Sequence, residues 1–259
     1  MSGAAAALTA NDLSIAFGGV RAVQGISLQL GAGEILGVIG PNGAGKTTLV
    51  NLLTGYLKPH SGRMAAAGRD YTGLPPHRVW RRGVVRSFQA ATWFASATVA
   101  ECLQIAIDSG RHGATAGAML RSLLRLRTVA DVAQLLADHG LEDVAHVLPA
   151  SLPYGRQKIL GMAIGVAASP RVLLLDEPVA GLTHAEAQVI GAQIARIAAT
   201  GVGIIVIDHN IRFMTAICAR LLVMSYGQQI AIGPPAAVLA DPAVIAAYLG
   251  DLDAEDSHA

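Results

Sequence analysis

Gly40-Pro41-Asn42-Gly43-Ala44-Gly45-Lys46-Thr47-Thr48 decides how this chain folds. The run fits G-x-x-x-x-G-K-[ST], a loop whose glycines let backbone N–H groups curl around phosphate oxygens. Its flanks are the ones such a loop needs. Glu34 to Ile39 reads as a short buried strand, Thr47 to Leu53 as a helix, and Gly55 is placed to end that helix. The helix start adds its positive dipole end to the cradle. In that arrangement Lys46 reaches the β- and γ-phosphates and Thr47 ligates Mg2+. The chain is expected to bind a nucleoside triphosphate.

A second run, Arg171-Val172-Leu173-Leu174-Leu175-Asp176-Glu177-Pro178, is apolar until it ends in two acids. Such a run suits a central parallel strand buried on both faces, whose C-terminal end opens on the ligand crevice. Asp176 is then placed to hold Mg2+ through its water shell, and Glu177 to polarise the water that attacks the γ-phosphate. On its own an Asp-Glu pair also fits a solvated turn. After a phosphate loop on the same chain, it reads as the acid pair of a hydrolytic site.

Three more segments carry a family resemblance. Arg86-Ser87-Phe88-Gln89 looks like the Q-loop of ABC-type ATPases. Leu152-Pro153-Tyr154-Gly155-Arg156-Gln157 stands where that family has its Leu-Ser-Gly-Gly-Gln signature. Ile204 to Ile207, followed by Asp208-His209, is similar to the family's H-switch strand. The order of these motifs is the family's order and spans nearly the whole chain. Phe17 occupies the position of the aromatic that stacks on adenine. The resemblance implies catalytic roles for Gln89 and His209 beside Glu177, and Mg2+ ligands in Thr47, Gln89 and Asp176. It implies nucleotide contacts from Phe17, Gly40, Pro41, Asn42, Gly43, Ala44, Gly45, Lys46, Thr47 and Thr48, and from Tyr154, Gly155 and Arg156 in the signature.

Within that family the chain resembles the branched-chain amino acid importer ATPases, a group that also takes in amide and urea importers. Phe17-Gly18-Gly19, the Gly83 to Gln89 run, Tyr154, Ala180-Gly181-Leu182 and the C-terminal Val244 to Gly250 run carry this likeness. The terminal helix is also plausible from its own residues. Asp241 suits its cap, Pro242 its first turn and Gly250 its close.

Composition agrees. At 259 residues the chain can bury one large core, or a core with a smaller lobe. A formal charge of +1 supplies no basic field for nucleic acid. Cys102 and Cys218 form no C-x-x-C pair and read as buried free thiols of a reducing compartment. The eight histidines show no ligand spacing, so no zinc site is expected. The high hydropathy comes largely from alanine. The longest apolar region, Ile159 to Leu175, is broken by Ser169, Pro170 and Arg171, which argues against a membrane span. The alanine run near the N-terminus lacks a basic flank, so a signal peptide is not expected.

The pattern along the chain predicts one domain over 8–250, with a helical subdomain at about 90–168 and a flexible tail at 251–259. Leu13 to Phe17 and Ile26 to Leu30 read as strands. In the second, Ile26, Leu28 and Leu30 alternate with Ser27 and Gln29, as in a half-exposed antiparallel strand. Thr98 and Glu101 make a capping box before a helix, and Val129 to His139 is amphipathic. Leu221 to Met224 and Gln229 to Ile232 flank Ser225-Tyr226-Gly227-Gln228 as a hairpin would.

Two segments admit two readings each. In Met119 to Arg127, Arg121 and Arg125 share a helical face, which suits anionic lipid or an acidic permease loop, but equally a solvated surface. Trp93 and Phe94 belong to the groove that, by family resemblance, receives the permease's coupling helix, or to the core.

Three residues depart from the family pattern. Pro153 replaces the signature serine and loses a hydroxyl and a backbone donor. Arg156 replaces the signature glutamine and brings a charge that suits phosphate. Thr183 stands where the D-loop usually has Asp, yet with Glu186 it makes a capping box. A weakened signature on an intact hydrolytic set points to pairing with a different ATPase chain.

The expectation is an α/β fold, a P-loop NTPase core of ABC type with an antiparallel β subdomain and an inserted helical subdomain. The resemblance implies ATP and Mg2+, a second ABC ATPase subunit, two transmembrane permease subunits and, indirectly, a solute-binding protein. It places the chain at the cytoplasmic face of the cell membrane, in contact with the membrane through the permease. Export ATPases of the lipopolysaccharide-transport type share much of the pattern, and a weakly hydrolysing regulatory subunit fits the altered signature. Non-transporting ABC ATPases carry long coiled coils or tandem domains, which this chain lacks.

Overall fold

The computed structural model describes residues 6–87, 96–111 and 125–248. Two sheets share the chain. The first is antiparallel and holds β1 (Leu8–Phe17), β2 (Val20–Leu30), β4 (Ser61–Ala66) and β5 (Arg69–Asp70) in the order β2-β1-β4-β5. Phe17 pairs with Val20 across Gly18-Gly19, both at positive φ (51° and 89°), so the hairpin closes on a two-residue type I′ turn. In β2, Ile26, Leu28 and Leu30 are buried while Gln29 is exposed, as the alternation predicted.

The second sheet contains β3 (Ile35–Ile39), β6 (Val84–Arg86), β7 (Val172–Asp176), β8 (Gly203–Ile207), β9 (Arg220–Ser225) and β10 (Gln228–Gly233). Strand order is β10-β9-β3-β8-β7-β6, parallel throughout except for the β9–β10 hairpin. That hairpin turns through Tyr226 and Gly227, again both at positive φ.

The central strands are apolar up to the terminal Asp176 of β7 because both faces are covered. Leu173 and Leu175 point into the core beneath the helices, whereas Val172 and Leu174 point toward the antiparallel sheet. Ile204 and Val206 divide from Ile205 and Ile207 in the same way. Helix α1 (Lys46–Leu53) lies between the sheets, with Leu49, Val50, Leu52 and Leu53 buried. The short α2 (Pro76–Arg81) leads into β6.

On the other face lie α3 (Val99–Arg111), α4 (Arg125–His139), α5 (Tyr154–Ala167), α6 (His184–Ala199) and α7 (Ile211–Ile217). The short α8 (Pro235–Leu239) and a final helical stretch from 242 to 248 close the described chain. Both predicted capping boxes form. Glu101 Oε2 accepts from the Thr98 N–H at 2.7 Å, and Thr183 and Glu186 exchange side-chain and backbone bonds at the start of α6. The hydrogen bond from the Thr183 N–H holds the Glu186 carboxyl below its ordinary range. Asp241 caps the final helix through the Ala243 N–H. Cys102 and Cys218 are both buried free thiols, as expected. Among the described residues, no helix is long and apolar enough to cross a membrane.

Candidate functional site

In an open parallel sheet the crevice lies at the carboxyl ends of the strands, where the strand order reverses. Strands β3, β7 and β8 all end at that edge. Their last residues carry the phosphate loop, the Asp176-Glu177 pair and the Asp208-His209 pair.

The loop after β3 has a shape only glycine permits at two points. Gly45 sits at φ +97°, and a Cβ there would stand 2.2 Å from the Ala22 carbonyl oxygen. At Gly40 a Cβ would meet the Met224 oxygen at 2.0 Å. Gly45 is the N-cap of α1, which has no side-chain cap and no acid in its first turn. Its leading N–H groups are therefore left for an anion. Lys46 Nζ folds back over the loop, donating to the carbonyls of Gly40 (2.6 Å) and Pro41 (2.7 Å). Asn42, Gly43 and Thr47 are exposed beside it, and Thr48 is half-buried. The β9–β10 turn braces the loop, since the Gly227 N–H donates to the Ala44 carbonyl at 3.0 Å.

Asp176 is 12% exposed at its side chain and accepts from Arg86 Nη2 at 2.5 Å. Arg86 also donates to Asn51 on α1 at 2.9 Å, so one guanidinium joins β6, β7 and the loop helix. Glu177 follows at φ +48°, a strained setting for a residue with a side chain. Such strain costs about 1–3 kcal/mol and persists where surrounding bonds enforce it. Here the Glu177 N–H donates to the Ile207 carbonyl at 2.8 Å, and its own carbonyl accepts from Lys158 Nζ at 3.0 Å.

His209 is exposed, with 71% of its side chain open, next to a buried Asp208. Asp208 accepts from the Asn210 N–H (2.9 Å) and the Val179 N–H (3.4 Å), fastening the His209 turn to the segment after Glu177. Phe17 stands 47% exposed at the hairpin tip.

The signature segment opens α5. Pro153 is the N-cap and supplies no side-chain bond, and the first turn holds no acid. What the proline removes here is the capping hydroxyl, because the N–H groups of Tyr154, Gly155 and Arg156 still lead the helix. Tyr154 is 48% exposed. Arg156, expected to bring its charge toward phosphate, donates to Asp143 Oδ2 at 2.6 Å, and both partners are open to solvent.

Gln89, Phe88, Trp93 and Phe94 lie outside the described residues, as do 119–124 of the basic segment. The helical subdomain expected at about 90–168 falls partly outside them, and the tail at 251–259 wholly so. Sequence reading missed three supporting residues. Arg86 was read only as a motif letter, although a cation at the end of the strand beside Asp176 is a signal. Asp208 stood only as the neighbour of His209, and Lys158 gave no signal, since both act on distant backbone.

The donor set suits a triphosphate with its divalent cation. An uncapped helix end and a lysine stand together at the loop after β3. A hydroxyl (Thr47) and a carboxylate (Asp176) are oxygen ligands of the kind Mg2+ takes.

A profile described as ABC transporter matches residues 23–180, and one described as branched-chain amino acid ATP-binding cassette transporter matches residues 228–254. The chain is 34% identical over 250 residues to the high-affinity branched-chain amino acid transport ATP-binding protein BraF of Pseudomonas aeruginosa, covering 94% of this chain and 98% of that protein. It is 33% identical to the lipopolysaccharide export system ATP-binding protein LptB of Escherichia coli K12, covering 95% and 98%. Among solved structures, a nucleotide-free ATP-binding cassette from an ABC transporter superposes with a TM-score of 0.82 at 28% identity, covering 94% of this chain and 98% of that one. An ADP conformation of such a cassette gives 0.81 at 27% identity, covering 95% and 99%.

Proposed function

This chain belongs to the ABC transporter family of ATP-binding subunits, and from that we propose that it powers a membrane importer of branched-chain amino acids or related small polar solutes. The observation that carries hydrolysis is the meeting of Lys46, Asp176, Glu177 and His209 at one edge of the parallel sheet. The observation that favours import is the second profile, over residues 228–254.

In this reading ATP lies along the loop from Gly40 to Thr48, with adenine against Phe17. Lys46 leaves the Gly40 and Pro41 carbonyls for the β- and γ-phosphates. Thr47, Asp176 and Gln89 would hold Mg2+, which would supply positive charge to offset that of the phosphates. Glu177 takes the proton of the attacking water, and His209 and Gln89 orient the water and the γ-phosphate. A second ATPase chain supplies its signature across the dimer, while Tyr154, Gly155 and, once released from Asp143, Arg156 here complete the partner's site.

The subunit sits at the cytoplasmic face of the membrane beneath two permease subunits. A groove of about 420 Å3 among Tyr56, Trp80, Val85, Ile105 and Ile164 is apolar enough to seat a permease helix. An export role of the lipopolysaccharide type is the second reading, supported by the likeness to LptB.

Two experiments test this. Lys46→Ala is expected to abolish ATP binding, and near-normal affinity would remove the phosphate-loop assignment. Vesicles holding the chain with its permease and partner ATPase, supplied with the solute-binding protein, are expected to take up labelled leucine only with ATP; ATP-driven extraction of lipopolysaccharide without such uptake would favour the export reading.

A further inference from the structure

Lys158 lies on α5 and is 9% exposed. A buried ammonium needs partners, and this one has two of unlike kind. Nζ donates to the main-chain carbonyl of Glu177 at 3.0 Å. It also lies 5.2 Å from the centroid of the Tyr154 ring, within cation–π range. Tyr154 and Lys158 are four residues apart and so share one helical face. Among the described residues, no carboxylate forms an ion pair with Lys158.

Both partners matter to the chemistry. Glu177 holds its strained φ of +48° through one bond on each of the two peptide groups that flank its Cα. The bond from Lys158 reaches in from the helix that carries the signature. Tyr154 is half exposed at the tip of that helix. Its ring packs over Gly181, where an added Cβ would stand 3.3 Å from Cε1. The same helix tip is thus tied twice to the segment that follows Asp176: at Glu177 through the ammonium and at Gly181 through the ring.

We infer that Lys158 is a positioning residue that fixes the main chain of Glu177, and so the aim of its carboxylate, under the control of the Tyr154 ring. This rests on the nucleotide-site reading above. On that reading Tyr154 faces the partner subunit's nucleotide, while Glu177 acts on the nucleotide bound by its own chain. Pressure on the ring re-seats the ammonium and with it the Glu177 peptide. The occupancy of one site thereby adjusts the acid of the other.

The test uses the full-length chain assembled with its permease and partner ATPase, with Mg·ATP as the probe. Lys158→Met keeps the side-chain length and removes the charged donor. It is expected to lower kcat about ten- to a hundredfold, the range for a lost charged hydrogen bond, with KM for ATP nearly unchanged. Lys158→Arg is expected to recover most of the rate. Backbone amide exchange in the nucleotide-free full-length chain gives a second readout. Exchange across Glu177 to Leu182 should rise about tenfold in Lys158→Met, while that of β3 and β8 stays as in the parent. Tyr154→Leu should raise the same amides, although it leaves the lysine in place.

An unchanged kcat with unchanged exchange overturns the inference. So does a loss of rate matched by equal losses of ATP affinity and thermal stability, with no recovery in Lys158→Arg. If Lys158→Met does not fold, Tyr154→Leu decides: faster exchange at Glu177 supports the inference, and unchanged exchange overturns it. Lys46→Ala separates the two levels. Retained ATP binding in that variant overturns the site reading, whereas lost binding beside a silent Lys158 overturns the inference alone.

Discussion

Arg86 and Asp176 form an ion pair, Nη2 donating to Oδ2 at 2.5 Å, with both side chains largely withdrawn from solvent. The carboxylate that would help to hold Mg2+ is therefore already answered by a cation, one that also grips Asn51 on the loop helix. A divalent ion must compete with it.

Removing that competitor has two opposed consequences. Arg86→Ala is expected to lower the Mg2+ concentration needed for half-maximal ATP binding, by about tenfold for each 1.4 kcal/mol of lost competition. The nucleotide-free protein should lose about 1–3 kcal/mol of stability, because Asp176 and Asn51 are left without their donor. A Mg2+ titration at fixed ATP, followed with a fluorescent nucleotide, reads the first effect. An unaltered Mg2+ dependence would show that the pair does not guard the site.

Glu177→Gln keeps the shape of the side chain and removes its basicity. ATP should still bind, turnover should fall by about 100-fold or more, and an ATP-bound dimer should accumulate. Single-turnover hydrolysis and size-exclusion chromatography with ATP measure both. A turnover rate equal to the parent's would assign the base elsewhere.

If the signature completes a partner's nucleotide site as proposed, Pro153 weakens that site alone. A lost hydrogen bond to a charged group costs about 1.5–3 kcal/mol, or roughly tenfold to more than a hundredfold in affinity for the closed state. The chain alone should therefore hydrolyse ATP weakly. Pro153→Ser should raise that rate, and the serine would also cap α5, a gain of about 1 kcal/mol. Fast, cooperative hydrolysis by the isolated chain, unchanged in Pro153→Ser, would refute pairing with a different subunit.

The Tyr248 phenol is pushed up to about 12 by burial, against the opposing effect of a Gly40 backbone hydrogen bond. The unfolded phenol ionises near its ordinary value of about 10. Its contribution to stability is thus complete below pH 10 and is lost as pH rises toward 12. Buried Cys218, also pushed up to about 12, acts in the same direction. Melting temperatures across this alkaline range should fall less steeply in Tyr248→Phe than in the parent. Parallel curves would show that burial does not hold the Tyr248 phenol in its neutral form.

Local chemistry was legible from the residues alone. The phosphate loop, the apolar strands, both capping boxes and the β9–β10 hairpin each rest on side chains within a few positions of one another. Propensity and turn geometry act at that range. Even the burial of Val172 to Leu175 on both faces followed from the run's lack of alternation. The contacts that tune the site did not follow. Arg86 reaches Asp176 across 90 residues, Asp208 reaches Val179 across 29, and Lys158 reaches Glu177 across 19. Arg156 turned to Asp143 instead of standing free for phosphate. The first two pairings exist because the strand order β10-β9-β3-β8-β7-β6 sets β6 beside β7 and β7 beside β8, and the last two because α5 packs over the sheet and the turn before it. That order comes from burying two faces of one sheet at once, a condition on the whole chain that no short stretch of sequence contains.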